Sequence, residues 1–185
     1  ITGYKSDNGL NMYYEIHGFG EPLILIAGLG VDHSIFSSSI KIFSQKFRVI
    51  VFDNRGVGRT DKPNIPYTIE MMANDTASLM NALEIYSAYV LGISLGGRIA
   101  MELTLLYPEK VKCLVLASTS ASVKVKMPIL PKIIKKIRAF TDKSEQPYFA
   151  FKLQLGASRN YDCSGRLKNI KVPTLILHGK NDKSA

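Results

Sequence analysis

The stretch VLGISLGG, residues 90–97, decides how the chain is read. A short apolar run enters a serine with glycines two positions either side, Gly92 and Gly96, and helix-forming residues follow. The pattern G-x-S-x-G predicts a sharp strand-to-helix turn with Ser94 at its apex. At such a turn the backbone is strained and the serine hydroxyl is pushed out at the end of a strand. Small neighbours avoid a clash there. The helix that follows turns its free N–H groups toward any oxyanion formed beside the serine. The alternative is that Ser94 is only a small residue in a glycine-rich loop. The predicted strand before it and helix after it favour the nucleophile.

The same alternation extends in both directions. Residues 11–17, NMYYEIH, alternate in polarity like an antiparallel strand. Residues 22–28 (PLILIAG), 48–53 (RVIVFD), 89–92 (YVLG), 111–118 (VKCLVLAS) and 173–179 (PTLILHG) are continuous apolar runs, as expected of strands buried on both faces. Ile69, Met72, Ala73, Thr76, Leu79, Met80 and Leu83 mark one face of a helix starting near Thr68. Leu95 to Tyr107 reads as a second helix, stopped by Pro108, and Ser34 to Phe43 as a shorter one. Strands alternating with helices predict a mostly parallel sheet with helices on both faces.

The chain has 185 residues, 46% hydrophobic and 21% charged, which suits one soluble globular domain. Its longest apolar run, Leu23 to Val31, is too short to span a bilayer. The first residue is Ile1, no charged-then-apolar leader is visible, and a signal peptide is not expected in these residues. Neither Cys113 nor Cys163 has metal-ligand spacing. Cys113, at the head of CLVLAS, reads as a buried thiol, and a reducing, cytoplasmic setting is expected.

The net charge is +9, and much of the excess lies between Lys124 and Lys143. No zinc-finger spacing or RNA-binding aromatic signature accompanies it, so no nucleic-acid partner is expected. Within it, Ile133, Ile134, Ile137 and Phe140 share one helical face, with Lys132, Lys135, Lys136 and Arg138 on the rest. That predicts a helix laid on the protein body with a solvated basic face. A helix lying on an anionic membrane is the alternative, and membrane contact is not expected.

Several motifs in order make the sequence resemble the α/β-hydrolase family, in its serine-nucleophile branch, closest to small esterases and 3-oxoadipate enol-lactonase-like hydrolases. Beside GISLGG stand ILIAGLG (24–30), DNRGVGRTD (53–61) and PTLILHGKND (173–182). The resemblance implies an oxyanion loop around Gly28, with backbone N–H groups from Leu29 and Leu95. Many members carry His-Gly where this chain has Ala27-Gly28, and a main-chain donor survives that change. It implies that Asp53 and Arg55 brace loops, and that Asp182 is the triad acid. It implies a core over 1–118, a small helical cap over 119–171, and a returning core strand over 172–185. No metal or organic cofactor is implied.

The base is the difficulty. In this fold the order is Ser, acid, His, yet the histidines are His17, His33 and His178. His17 lies in the first hairpin, and His178 reads as bracing the sheet edge. His33 is out of triad order; it reads as a helix-start or pocket-wall residue, with a substitute base as the alternative. The family's histidine follows one further strand, so the resemblance places it, with a C-terminal strand and helix, beyond Ala185. The expected activity is hydrolysis of a small-molecule ester or lactone. C–C bond hydrolysis, aminopeptidase activity and a non-enzymatic binding role on the same fold remain open.

Overall fold

Among the described residues seven strands form one sheet in the order β1-β2-β4-β3-β5-β6-β7. They are β1 (Thr2–Lys5), β2 (Met12–His17), β3 (Glu21–Ile26), β4 (Phe47–Phe52), β5 (Ala88–Ile93), β6 (Val111–Ala117) and β7 (Thr174–Leu177). The computed structural model describes residues 1–5, 9–123 and 146–182. β1 and β2 pair antiparallel, as do β2 and β4, and the remaining pairings are parallel. The helices are α1 (Ser37–Phe43), α2 (Ile69–Ala82), α3 (Leu95–Leu106) and α4 (Tyr148–Asn160). The mostly parallel architecture expected from the sequence is what the chain adopts.

The continuous apolar runs divide between two faces because strand side chains alternate. Ile24 and Ile26 of β3 and Ile50 and Phe52 of β4 join Met72, Ala73, Met80, Ile99 and Leu103 from α2 and α3. Leu23, Leu25, Val49 and Val51 face the other way and pack with Phe36. Each central strand therefore needs apolar residues at every position. Thr68 starts α2 by accepting a hydrogen bond from Met71 N–H at 3.0 Å, an N-cap worth about 1 kcal/mol.

Register brings the carboxyl ends of the parallel strands to one edge. Ile26 stands beside Gly92, Ile93 beside Ala117, and Ala117 beside Leu177. The segments leaving β3, β5, β6 and β7 therefore emerge together, which is where open α/β sheets hold their ligands.

Three expectations need correction or bounding. β7 is not buried on both faces: Leu175, Ile176 and Leu177 are 52%, 69% and 49% exposed. Among the described residues it is the sheet's edge strand, and its apolar run reports a preference for cover that those residues do not supply. Cys113 is half-buried on β6, while Cys163 is the buried thiol. The basic segment around residues 132–140 lies outside the described residues. β1 and α4 were not anticipated. Among the described residues no helix is long and apolar enough to cross a membrane.

The elbow glycines are fixed by contact. A Cβ on Gly96 would overlap Ile26 O, and one on Gly92 would overlap Gly96 O. Gly156 of α4 has open space. Gly96→Ala is therefore expected to lower unfolding free energy by about 2 kcal/mol or more. Gly156→Ala is expected to raise it by about 0.5 to 1 kcal/mol. Urea midpoints for the two variants check both signs.

Candidate active site

Ser94 closes β5 and opens α3 at φ 54°, ψ −116°. That is a left-handed conformation costing a non-glycine residue on the order of 1 to 3 kcal/mol. Hydrogen bonds from three sides hold it, with Arg98 N–H also reaching Ser94 O at 3.4 Å. Ser94 N–H donates to Ala117 O at 3.0 Å, Gly97 N–H donates to Ser94 O at 3.0 Å, and the Thr119 hydroxyl donates to Ser94 O at 2.7 Å. Ser94 is exposed, while the Leu95 beside it is buried. As the first residue of α3, Leu95 has an N–H with no acceptor within the helix.

The segment leaving β3 lies against this turn. A Cβ placed on Gly28 would stand 3.5 Å from Ser94 Cβ. The loop is held at three points. Asn54 Nδ2 donates to Ala27 O at 3.1 Å. Gly30 N–H donates to Gln154 Oε1 at 3.2 Å. At the far end, His33 N–H donates to Asp53 Oδ1 at 2.9 Å. Leu29 lies between these supports.

Asp53 organises the following turn. Buried, it also accepts from His33 Nδ1 at 2.7 Å and from Arg59 N–H at 2.9 Å. Gly58, at φ 53°, leaves room for that carboxylate. Arg55 and Asp75 form a buried two-point pair, both contacts 2.6 Å. Asp53 and Arg55 thus hold loops, as the resemblance implied.

His33 opens the short turn His33–Phe36. Its Nε2 lies 3.1 Å from Glu15 Oε1, so the imidazole sits between two carboxylates. The hydrogen bond to Asp53 raises its pKa above the ordinary 6.5 against the opposing effect of burial, and the charges of Asp53, Glu15 and Asp32 add to the rise. Glu15 also accepts from the Tyr13 hydroxyl at 2.7 Å and contacts His17 Nε2 at 2.8 Å. Burial lifts the Glu15 carboxyl, but those two hydrogen bonds together with the charges of His33 and His17 hold it below its usual value. Burial, then Glu15, pushes Tyr13 up to about 12. Asp32, His33 and Asp53 lie close enough together to share a cation. Within this set His33 Nδ1 is hydrogen-bonded directly to Asp53.

Asp182 follows β7 at the same sheet edge, half-buried, with its N–H on Gly179 O at 2.9 Å. His178, just after β7, is exposed. Glu15, Asn54, Thr119 and Gln154 were missed by the sequence reading. Gln154 had a signal: it sits with Ala150, Phe151 and Ala157 on the buried face of α4, where a polar residue needs a partner. Arg98 of α3 donates to Ser120 O at 3.1 Å and Ser158 O at 2.8 Å, tying α3 to the start of the expected cap and to α4.

The pattern of the alpha/beta hydrolase fold matches residues 21–134. The chain belongs to the α/β-hydrolase fold family. It is 36% identical over 115 residues to the putative carbamate hydrolase RutD of Azorhizobium caulinodans, a match covering 62% of this chain and 43% of that protein. It is 32% identical over 169 residues to the putative non-heme bromoperoxidase BpoC of Mycobacterium tuberculosis, covering 90% and 59%. The chain thus spans about half the length of these curated relatives. The enol-lactonase from Burkholderia xenovorans LB400 shares its fold, with TM-score 0.87 at 23% identity, covering 99% of this chain and 83% of that one.

The backbone at Ser94 should register in stability. Glycine there relieves about 1 to 3 kcal/mol of strain and forfeits about 0.5 to 1 kcal/mol in chain entropy. Ser94→Gly is therefore expected to raise unfolding free energy by about 1 kcal/mol, whereas Ser94→Ala, which keeps the strain, leaves it nearly unchanged. Equilibrium urea unfolding separates the two.

Proposed function

We propose that Ser94 is the nucleophile of a serine hydrolase that cleaves a carboxylic ester or lactone of a small molecule through an acyl-enzyme. The observation that carries this reading is the exposed Ser94 at a strained strand-to-helix turn, with the Gly28 loop against it. Stored strain at an exposed nucleophile is hard to explain as packing.

In this reading the Ser94 hydroxyl attacks a carbonyl carbon and passes its proton to a histidine. The Leu29 and Leu95 N–H groups receive the oxyanion. The histidine returns the proton to the leaving alkoxide, and water then releases the acid by the same steps. Asp182 holds the imidazole in the correct tautomer. No step needs a metal or an organic cofactor. His17 and His33 are engaged with carboxylates, and His178 is exposed just after β7, so none of the three is assigned as the base. Segment 119–171, with α4, acts as the cap that selects the substrate. The lactonase neighbour and the carbamate hydrolase relative act, by their names, on carbonyl compounds, and that supports the class. The two free cysteines accord with a cytoplasmic setting.

A fluorophosphonate tests the reading in the full-length protein. Phosphonylation with loss of fluoride is expected at Ser94, found by peptide mass, and absent in Ser94→Ala. With a p-nitrophenyl ester, Ser94→Ala is expected to lower kcat by about 10⁶ and Asp182→Asn by about 10⁴. A folded protein that takes no label overturns the reading and favours a binding protein on the same fold.

A further inference from the structure

His33 stands at the end of the loop that lies against Ser94, and its side chain joins three elements. The backbone N–H and Nδ1 of His33 both meet Asp53 Oδ1, at 2.9 and 2.7 Å. Nε2 meets Glu15 Oε1 at 3.1 Å. Asp53 belongs to the turn after β4, and Glu15 to β2, so the ring ties the end of the Gly28–Val31 loop to one turn and one strand. The buried Asp53 carboxylate is also tied to its own turn, because Arg59 N–H donates to its other oxygen at 2.9 Å. The next residue, Asn54, grips the opposite end of the loop at Ala27 O. The loop is thus strung between two adjacent residues of one turn, and His33 is its ionisable fastening.

We propose that His33 is a positioning residue: held between Asp53 and Glu15, it sets the distance of the Gly28–Val31 loop from Ser94 and thereby aims Leu29 N–H. This rests on the assignment of Ser94 and Leu29 above and goes beyond it, since His33 takes no part in the proton relay. A doubly protonated ring donates to both carboxylates, and a neutral ring can donate to only one.

The direction with pH follows from the groups that face the ring. Asp53, Glu15 and Asp32 are all acidic, the Tyr13 ring lies 5.1 Å away, His17 shares Glu15, and Arg59 lies over Tyr13. The net effect raises the His33 pKa. The two-sided grip is complete below the ordinary histidine value and is lost as pH rises through the folded value. Loop placement is therefore expected to loosen on the alkaline side.

The test uses the full-length protein and reads the loop separately from chemistry. In the wild type, the amide shifts of Leu29, Gly30 and Val31 are expected to titrate with the His33 ring at one shared midpoint above 6.5. His33→Ala is expected to speed amide exchange of these three residues at least tenfold and to slow fluorophosphonate labelling of Ser94 at least tenfold. His33→Asn, which restores a donor toward Asp53, is expected to recover labelling to within threefold and to lose the alkaline dependence. Loop amides that neither follow the ring titration nor exchange faster in His33→Ala overturn the proposal, even if Ser94 is labelled. Loop amides that respond while wild-type Ser94 stays unlabelled support His33 as the fastening and overturn the nucleophile. If His33→Ala does not fold, the wild-type titration alone decides.

Discussion

The carboxyl edge of the sheet depends on one strained residue. Ser94 takes a backbone conformation that serine resists, and three neighbouring segments are shaped to keep it there. Ala117 O receives its N–H, Thr119 holds its carbonyl, and Gly96 lets the helix approach Ile26. The β3–β5–β6 register is what makes these contacts coincide. A slip of one residue would invert every side chain and move Gly96 away from the β3 carbonyl. Strain at one point and register along three strands are therefore one constraint.

Much of the polar chemistry beneath that edge is structural. Asp53, Asn54, Arg55, Asp75 and Gln154 are buried, and each is engaged. A buried ion pair such as Arg55–Asp75 adds little net stability over a well-packed apolar pair, and losing one partner is costly. Its contribution is geometric: the Arg55 carbonyl accepts from Gln154, which in turn holds Gly30. The packing of α4, the turn after β4 and the loop beside Ser94 are thereby linked through short polar contacts.

The legible parts of this architecture were local. The strand-to-helix turn at Ser94 could be read because its glycines and following helix lie within a few residues, and the bracing role of Asp53 and Arg55 followed from the resemblance of DNRGVGRTD to a family segment. The strands were found by their apolar runs, but burial was not. The run at Thr174–Leu177 looks like that at Glu21–Ile26, yet only the second lies between covered faces. Apolarity states what a strand prefers to touch and not what is beside it. Long-range partners were invisible for the same reason: nothing near His33 announces Glu15, and nothing near Gly30 announces Gln154, 124 residues away.

The exposed apolar side chains of β7 carry a consequence for handling. β7 pairs with β6 on one side, and among the described residues its other backbone edge lies at the end of the sheet. An open edge flanked by Leu175, Ile176 and Leu177 is a template for strand addition. A polypeptide limited to the described residues would therefore be prone to self-associate through this edge. Its colloidal behaviour would then be set by four residues at the sheet margin rather than by its positive charge.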